Sequence, residues 1–170
     1  LGSSDMLELG AVLRREAGRM LVGNPAKWTL RASDPRRLSM SGPSAYVKIA
    51  EGCNRSCSFC AIPGIRGKQR SRAIADVVEE AQRLAEQGVV ELNLVSQDTI
   101  AYGRDLDDRP KLAELVEALG DVPGIRWIRL HYLYPESLDD RLVALMAEHE
   151  KILPYVDMPL QHASDAMLRR

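Results

Sequence analysis

The stretch that decides the fold is YVKIAEGCNRSCSFCAIPGIRGKQRSR, residues 46–72, which contains all three cysteines of the chain. The apolar run of residues 45–50, interrupted only by Lys48, predicts a buried strand that ends at Glu51 and Gly52. The cysteines follow at once, with three residues in the first gap between them and two in the second. Thiols that converge from one short loop after a strand indicate a metal site with soft ligands.

The number of cysteines narrows the kind of metal site. Cys53, Cys57 and Cys60 offer three thiolates, and the chain has no fourth cysteine. A structural zinc site takes four protein ligands, and the iron–sulfur cluster of an electron carrier is held by four cysteines. Three cysteines hold three irons of a 4Fe–4S cluster and leave the fourth iron for a ligand that is not protein. A cluster that performs chemistry needs such an open corner.

Two other interpretations of the cysteines stay open. A zinc site of three cysteines and one histidine takes its fourth ligand from His131, His149 or His162. Alternatively, the cysteines are buried and inert, as free cysteines often are. The spacing, the aromatic Phe59 directly before the last cysteine and the preceding strand together favour the cluster.

Composition sets wider limits on function. A chain of 170 residues is the size of one domain. Its 45% hydrophobic and 28% charged residues are typical of a soluble globular protein, and a net charge of −1 excludes a global basic field for nucleic acid. Three clustered cysteines do not suit a disulfide framework, so we expect a reducing cytoplasm. No long uncharged apolar run or signal-peptide pattern is present, and we expect no membrane partner.

Residues 1–43 differ in character from the rest. The pattern predicts a helix from Leu7 to Val22, which Gly10 and Gly18 weaken. Gly, Pro, Ser and Arg are dense in residues 23–43, which predicts a solvated linker whose arginines can contact a polyanion; they are Arg31, Arg36 and Arg37. We therefore divide the chain into an N-terminal helix and linker, residues 1–43, and a second unit, residues 44–170.

Four cations follow the cysteines within seven residues: Arg66, Lys68, Arg70 and Arg72. They are candidates to neutralise an anionic substrate or a cofactor carboxylate. A solvated loop that leads into the next helix is an equally good interpretation of the same pattern.

Strands and helices alternate after this loop. Apolar periodicity predicts helices over residues 74–85, 112–119 and 138–146, and further strands over 89–96, 127–133 and 152–160. Ser164 and Asp165 mark the start of another helix. Four strands separated by three helices predict an α/β fold with a parallel sheet and right-handed crossovers.

Polar residues follow each predicted strand. They are the cysteine loop, the pair Gln97 and Asp98, residues 131–134, and the pair Gln161 and His162. The carboxyl ends of parallel strands meet at one edge of the sheet, where such folds place their chemistry. We therefore expect one shared site. Taken alone, His131 is more typical of a packing residue in a strand. His162 is equally well explained as a cap of the helix that follows it.

The cysteine spacing with Phe59 resembles the signature of radical S-adenosylmethionine (SAM) enzymes. The resemblance implies a partial (β/α) barrel and a 4Fe–4S cluster on Cys53, Cys57 and Cys60, whose open iron binds the amino and carboxylate groups of SAM. It implies that Phe59 lies beside the adenine of SAM and Gln97 near its methionyl group. Gln161 and His162 would lie further along the same rim, and one electron from the cluster would split SAM to a 5′-deoxyadenosyl radical.

Four longer strings are similar to the methylthiotransferase branch of that family. They are EGCNRSCSFCAIPGIRGKQRSR, ELNLVSQDTIAYG, WIRLHYLYP and YVDMPLQHASDAMLRR, within residues 45–170. Residues 96–103 and 132–135 are closest to the type that methylthiolates an aspartate of a small-subunit ribosomal protein. The alternative type modifies tRNA adenosine and usually has an asparagine in place of Asp98. The branch also implies two uses of SAM, as methyl donor and radical source, and a one-electron donor such as flavodoxin or ferredoxin.

The chain departs from that branch at both ends. The family has a preceding domain with three further cysteines, and two more strands and a small β domain after the fourth strand. We therefore expect a truncated barrel that binds a cluster without completing methylthiolation. Two alternatives of other classes remain: a non-catalytic zinc or iron–sulfur module, and an inactive homologue that only binds the ribosome or tRNA.

Overall fold

A three-stranded parallel sheet lies at the centre of the computed structural model, which describes residues 4–16, 20–25, 28–38 and 42–169. The strand order is β1–β4–β5, with β1 Ser44–Lys48, β4 Glu91–Val95 and β5 Trp127–Leu130. Val47 lies opposite Leu94, and Leu94 lies opposite Leu130. The predicted α/β class with parallel strands is confirmed.

Three helices cover one face of the sheet and enclose the core. They are α3 Ile74–Glu86, α4 Leu112–Gly120 and α5 Asp140–Glu148. Each lies close to its predicted range because apolar residues recur at helical spacing and bury a stripe against the strands. The core side chains come from both layers: Val47, Val77, Leu84, Leu92, Leu94, Leu115, Leu119, Ile128 and Leu130.

The cysteine loop begins and ends in a second, smaller sheet that the sequence did not predict. Strand β2, Ala50–Glu51, pairs antiparallel with β3, Arg70–Ser71. A short helix, α2 Ile62–Arg66, lies between them.

The fourth predicted strand, residues 152–160, was wrong as a strand. Parallel pairing is limited to one bridge between Ile128 and Ile152, and further along the Leu133 N–H donates to the Asp157 carbonyl at 2.9 Å. Strand β5 itself ends at Leu130, because Tyr132 has a φ of 58°, which no extended strand accommodates. The predicted final helix is present as α6, Asp165–Leu168.

The N-terminal helix is shorter than predicted. A 3-10 turn, Met6–Glu8, leads into α1, Leu9–Leu13, and the helix stops before Arg15, whose φ is 61°. Part of the predicted helix, residues 17–19, lies outside the described residues.

One part of the predicted linker, around Ala32, packs against α3, whereas most of residues 31–37 are exposed. The Ala32 N–H donates to Asp76 Oδ1 at 2.9 Å, and Arg83 Nη1 donates to the Ala32 carbonyl at 2.7 Å. Arg36 forms an ion pair with Glu80 and donates to the carbonyl of Tyr46. Arg36 therefore has carboxylate and carbonyl partners in the chain, where we expected contact with a polyanion or solvent.

No helix among the described residues is long and apolar enough to cross a lipid bilayer.

Candidate metal and cofactor site

The two ends of the cysteine loop are held together at its neck. Strands β2 and β3 close the loop, and the Cys53 N–H donates to the Gly67 carbonyl at 3.2 Å. Gly52 has a φ of 82°, and a Cβ there would lie 2.3 Å from the Lys68 carbonyl oxygen. Only glycine fits this close approach of two backbone segments. The Gly52 in the motif is therefore required by the neck of the loop.

The three thiols differ in their exposure. Cys53 is buried, Cys57 is half-buried and Cys60 is exposed. The Cys60 N–H donates to the Cys57 carbonyl at 3.1 Å, which forms a tight turn between these two residues. Burial raises the pKa of the Cys53 thiol, and a hydrogen bond from the backbone N–H of Arg55, 3.4 Å from Sγ, acts in the opposite direction.

All three cysteines line one open cavity of about 440 Å³ at the carboxyl ends of the strands. Phe59, Gln97 and Gln161 line the same cavity. Gln97 also ties the loop to the end of β4, because its Oε1 accepts from the Gly52 N–H at 2.9 Å. The remaining walls are Lys48, Arg55, Ile62, Val95, Ser96, Tyr132, Tyr134 and Pro159. Six of the seven predicted site residues therefore share one cavity.

His162 is the predicted site residue that does not line this cavity. It is exposed, and its Nδ1 accepts from the Ser164 N–H at 2.9 Å, directly before α6. Its predicted role in cofactor binding stays a prediction.

Two other polar residues of the strand ends also lie off the cavity wall. His131 is held between Asp157, 3.0 Å from Nδ1, and Asn93, 3.3 Å from Nε2. Asp98 is buried and accepts from Arg55. The cavity therefore contains fewer of the strand-end residues than the single shared site that we expected.

The three arginines of the basic run after the cysteines have partners within the fold, and Lys68 is exposed. Arg72 is buried and binds the carboxylates of Asp76 and Glu80. Arg66 donates to Glu51 at 3.1 Å, and Arg70 donates to three backbone carbonyls, those of Trp28, Arg66 and Lys68. Neither a cofactor carboxylate nor a solvated loop describes these arginines, because their charges and donors meet acceptors of the chain itself.

Sequence reasoning missed Arg55 as part of this site, whereas Tyr134 belongs to the predicted polar segment 131–134. The Arg55 guanidinium lies 4.3 Å from the centroid of the Tyr134 ring, and both residues line the cavity. Burial raises the pKa of the Tyr134 hydroxyl, which keeps it protonated. The one sequence signal for Arg55 was its place between the first two cysteines.

The donor set fits an iron–sulfur cluster on three counts. Three thiols on one cavity wall supply the soft ligands that iron–sulfur clusters use. The N–H directed at Cys53 Sγ is the kind of contact that stabilises a metal-bound thiolate. None of the three histidines, all of which the structure describes, lines the cavity as a fourth zinc ligand. Within the described ranges, no three His, Cys, Asp or Glu side chains are grouped to hold a single metal ion.

A comparison with protein families matches this chain to one of them. The model of the Radical SAM superfamily matches residues 47–170, which include the cysteine loop and every wall of the cavity.

Several relatives are similar over most or all of the chain. A protein of Sorangium cellulosum named ribosomal protein uS12 methylthiotransferase RimO is 65% identical over 100% of this chain and 36% of its own length. Proteins of the same name are 50% identical in Myxococcus xanthus, over 99% of this chain and 35% of their own length, and 58% identical in Aquifex aeolicus, over 79% and 31%. The chain spans about a third of the length of the curated relatives it matches.

Solved structures resemble the fold. The radical S-adenosylmethionine methyltransferase TsrM of Kitasatospora setae, with tryptophan substrate and a SAM analogue bound, superimposes with a TM-score of 0.61 at 20% identity. That match covers 79% of this chain and 27% of TsrM. A second TsrM structure, with cobalamin and a [4Fe-4S] cluster bound, gives a TM-score of 0.57 at 21% identity, over 72% and 23%.

Proposed function

The chain belongs to the radical SAM superfamily, and on this premise we propose that it carries the cluster-binding and SAM-binding part of a methylthiotransferase that modifies a small-subunit ribosomal protein. The observation that carries the proposal is the single cavity in which three thiols, Phe59, Gln97 and Gln161 meet at the strand ends. Family membership also supports a cluster over inert cysteines.

Six residues that line the cavity have a role in the proposal. Cys53, Cys57 and Cys60 hold the three irons that need protein ligands, and Phe59, Gln97 and Gln161 contact SAM. Bound there, the cluster and SAM would supply one-electron radical chemistry. The protein's own contribution is to orient SAM and to exclude water from the reacting centre.

Apolar and aromatic side chains form part of the cavity wall: Phe59, Ile62, Val95, Tyr132, Tyr134 and Pro159. Their apolar surface would displace water from around a bound cofactor.

The substrate is proposed from the relatives. The relatives from Sorangium cellulosum, Myxococcus xanthus and Aquifex aeolicus are named for ribosomal protein uS12, and this chain is similar to them over most or all of its length. We propose that a ribosomal protein is the substrate, that the reaction takes place in the cytoplasm, and that a flavodoxin or ferredoxin donates the electron. Modification of tRNA is the competing outcome.

Anaerobic reconstitution with iron and sulfide tests the cofactor assignment. We expect a reduced 4Fe–4S signal in electron paramagnetic resonance that changes shape when SAM is added, and release of 5′-deoxyadenosine on reduction. The Cys57→Ser variant is the matched control and should give neither. A zinc-loaded chain, or a cluster whose signal ignores SAM, contradicts the proposal.

A chimera tests the substrate. This chain replaces the matching segment of the Sorangium cellulosum relative, and the product is expressed in cells that lack their own methylthiotransferases. We expect mass spectrometry to show the gain of one CH2S unit on an aspartate of uS12, because hydrogen is replaced by a methylthio group. The same gain on tRNA adenosine, with uS12 unchanged, would establish the competing substrate.

A further inference from the structure

Arg55 connects the cysteine loop to the loops that follow two other strands. Its Nε donates to Asp98 Oδ2, after β4, at 2.7 Å. Its Nη1 donates to the carboxylate of Glu136, after β5, and its guanidinium lies over the Tyr134 ring. One side chain therefore contacts the segments after all three strands of the parallel sheet.

The main chain of Arg55 contacts the first thiol. Its N–H donates to Cys53 Sγ at 3.4 Å, so the residue that binds Asp98 through its side chain binds the sulfur through its backbone. The loop after β4 reaches the cysteine loop a second time, because Gln97 Oε1 accepts from the Gly52 N–H. The position of the Cys53 sulfur is thus fixed relative to the end of β4 from both sides.

The burial of the two carboxylates decides which ion pair of Arg55 contributes more to holding the cysteine loop. The Asp98 side chain is only 4% exposed, whereas that of Glu136 is 64% exposed. An exposed pair contributes little, because water solvates both charges. A buried carboxylate that loses its cation is left unsolvated and unpaired. The second oxygen of Asp98, Oδ1, is buried without a hydrogen-bond partner among the described residues, so Arg55 carries the neutralisation of this carboxylate.

We propose that Arg55 is a positioning residue that fixes the cysteine loop against the ends of β4 and β5, so that Cys53 and Gln97 are held together at the cavity before any ligand binds. The inference rests on the proposed function in one respect, that the thiols hold a cluster to which SAM binds. Arg55 is not needed to bind iron, because it supplies no ligand. It sets the distance between the loop that carries the cluster and the strand end that contacts SAM.

Hydrogen–deuterium exchange of the iron-free chain tests the positioning directly. We expect Arg55→Gln to accelerate exchange of the amides in residues 53–60 about tenfold, since the loop loses its tie to Asp98. Arg129→Gln is the matched control, because Arg129 also pairs with a carboxylate, Glu91, and lies over a tyrosine ring, Tyr155, but is outside the cysteine loop and the cavity wall. It should leave exchange in residues 53–60 as in the parent chain.

The reconstituted chain supplies the second readout. We expect Arg55→Gln to bind as much iron as the parent chain but to require about tenfold more SAM for half of the change in the cluster signal. Arg55→Lys keeps the charge and one bond to Asp98, so its SAM requirement should lie between those of the parent chain and Arg55→Gln. Asp98→Asn should resemble Arg55→Gln, and the double variant should be no worse than either single one, because both changes break the same contact.

The outcomes separate the two proposals. Parental exchange in residues 53–60 of Arg55→Gln, or equal acceleration by Arg129→Gln, would overturn the positioning role. So would a parental SAM requirement in Arg55→Gln. Failure of the parent chain to take up iron would overturn the proposed function, and the exchange experiment on the iron-free chain would still decide the positioning role.

Discussion

The sheet and the cysteine loop differ in where their side chains find partners. Leu94, Leu115 and Leu130 are at most 1% exposed and pack on residues of the chain itself. Phe59 is 76% exposed, Cys60 is exposed, and both face an open cavity. Apolar surface in a core is buried by folding, whereas an exposed aromatic beside a cavity is buried by a ligand. The sheet therefore buries its apolar side chains within the chain, whereas the loop leaves them exposed at an open cavity.

The same difference separates two arginines. Arg72 has 1% of its side chain exposed and binds the carboxylates of Asp76 and Glu80, so its charge contributes to the stability of the fold. Arg55 has 25% exposed and lines the cavity, where it serves the site. Position relative to the cavity therefore predicts whether a charge contributes to folding or to ligand binding.

The largest expected effect is on stability, from Arg72→Met. The change leaves the Glu80 carboxylate buried with Arg36 as its remaining cation, so we expect the free energy of unfolding to fall by about 3–5 kcal/mol. Urea unfolding of the iron-free chain measures it. Arg141→Met, at an exposed pair with Glu117, is the control and should cost about 1 kcal/mol or less. Equal costs would show that burial does not separate these two arginines.

Leu94→Ala should have the next largest effect. Leu94 is fully buried between its neighbours on β1 and β5, so the cavity left by the change should lower the unfolding free energy by about 2–5 kcal/mol. Phe59→Ala should change it by about 0.5 kcal/mol or less, because this ring is exposed. Thermal unfolding of both iron-free variants compares the core with the cavity. A large loss in Phe59→Ala would mean that the ring packs within the fold.

The parts that sequence could predict are those set by local spacing. Helix α3 follows from apolar residues at helical intervals, and the cysteine loop from thiols within eight residues of each other. Contacts between distant residues were not predictable. Arg55 binds Asp98 and Glu136, which lie 43 and 81 residues away along the chain. The partners of Arg72 lie within the next helix, but only its burial shows that the pair is structural.

The missed fourth strand has a related cause. Residues 152–160 carry an apolar pattern typical of a strand, yet only Ile152 forms a bridge to β5. The left-handed backbone at Tyr132 ends β5 early, so no partner strand continues beside residues 154–160. A pattern predicts that a segment is able to form a strand, and the neighbouring backbone decides whether it does.

The left-handed backbone at Tyr132 should have a smaller effect on the free energy of unfolding. Tyr132 lines the cavity with a φ of 58°, which costs a non-glycine residue about 1–2 kcal/mol. Tyr46 is similarly exposed but lies in a regular strand. Glycine relieves strain only at the first, so Tyr132→Gly should be about 1–2 kcal/mol less destabilising than Tyr46→Gly. Denaturant unfolding of both iron-free variants measures the difference, and equal losses would contradict strain at the cavity.

The smallest effect on the iron-free chain, and the sharpest test of the comparison, is Cys60→Ser. The side chain is exposed, so the unfolding free energy without iron should change by about 0.5 kcal/mol or less. In the presence of iron, the parent chain and Cys60→Ser should differ in stability. A ligand that binds only the folded state stabilises it, so reconstitution should raise the unfolding midpoint of the parent chain and not of Cys60→Ser. If Cys60→Ser instead destabilised the iron-free chain as much as Leu94→Ala does, the cysteine loop would belong to the core, and its thiols would be packing residues.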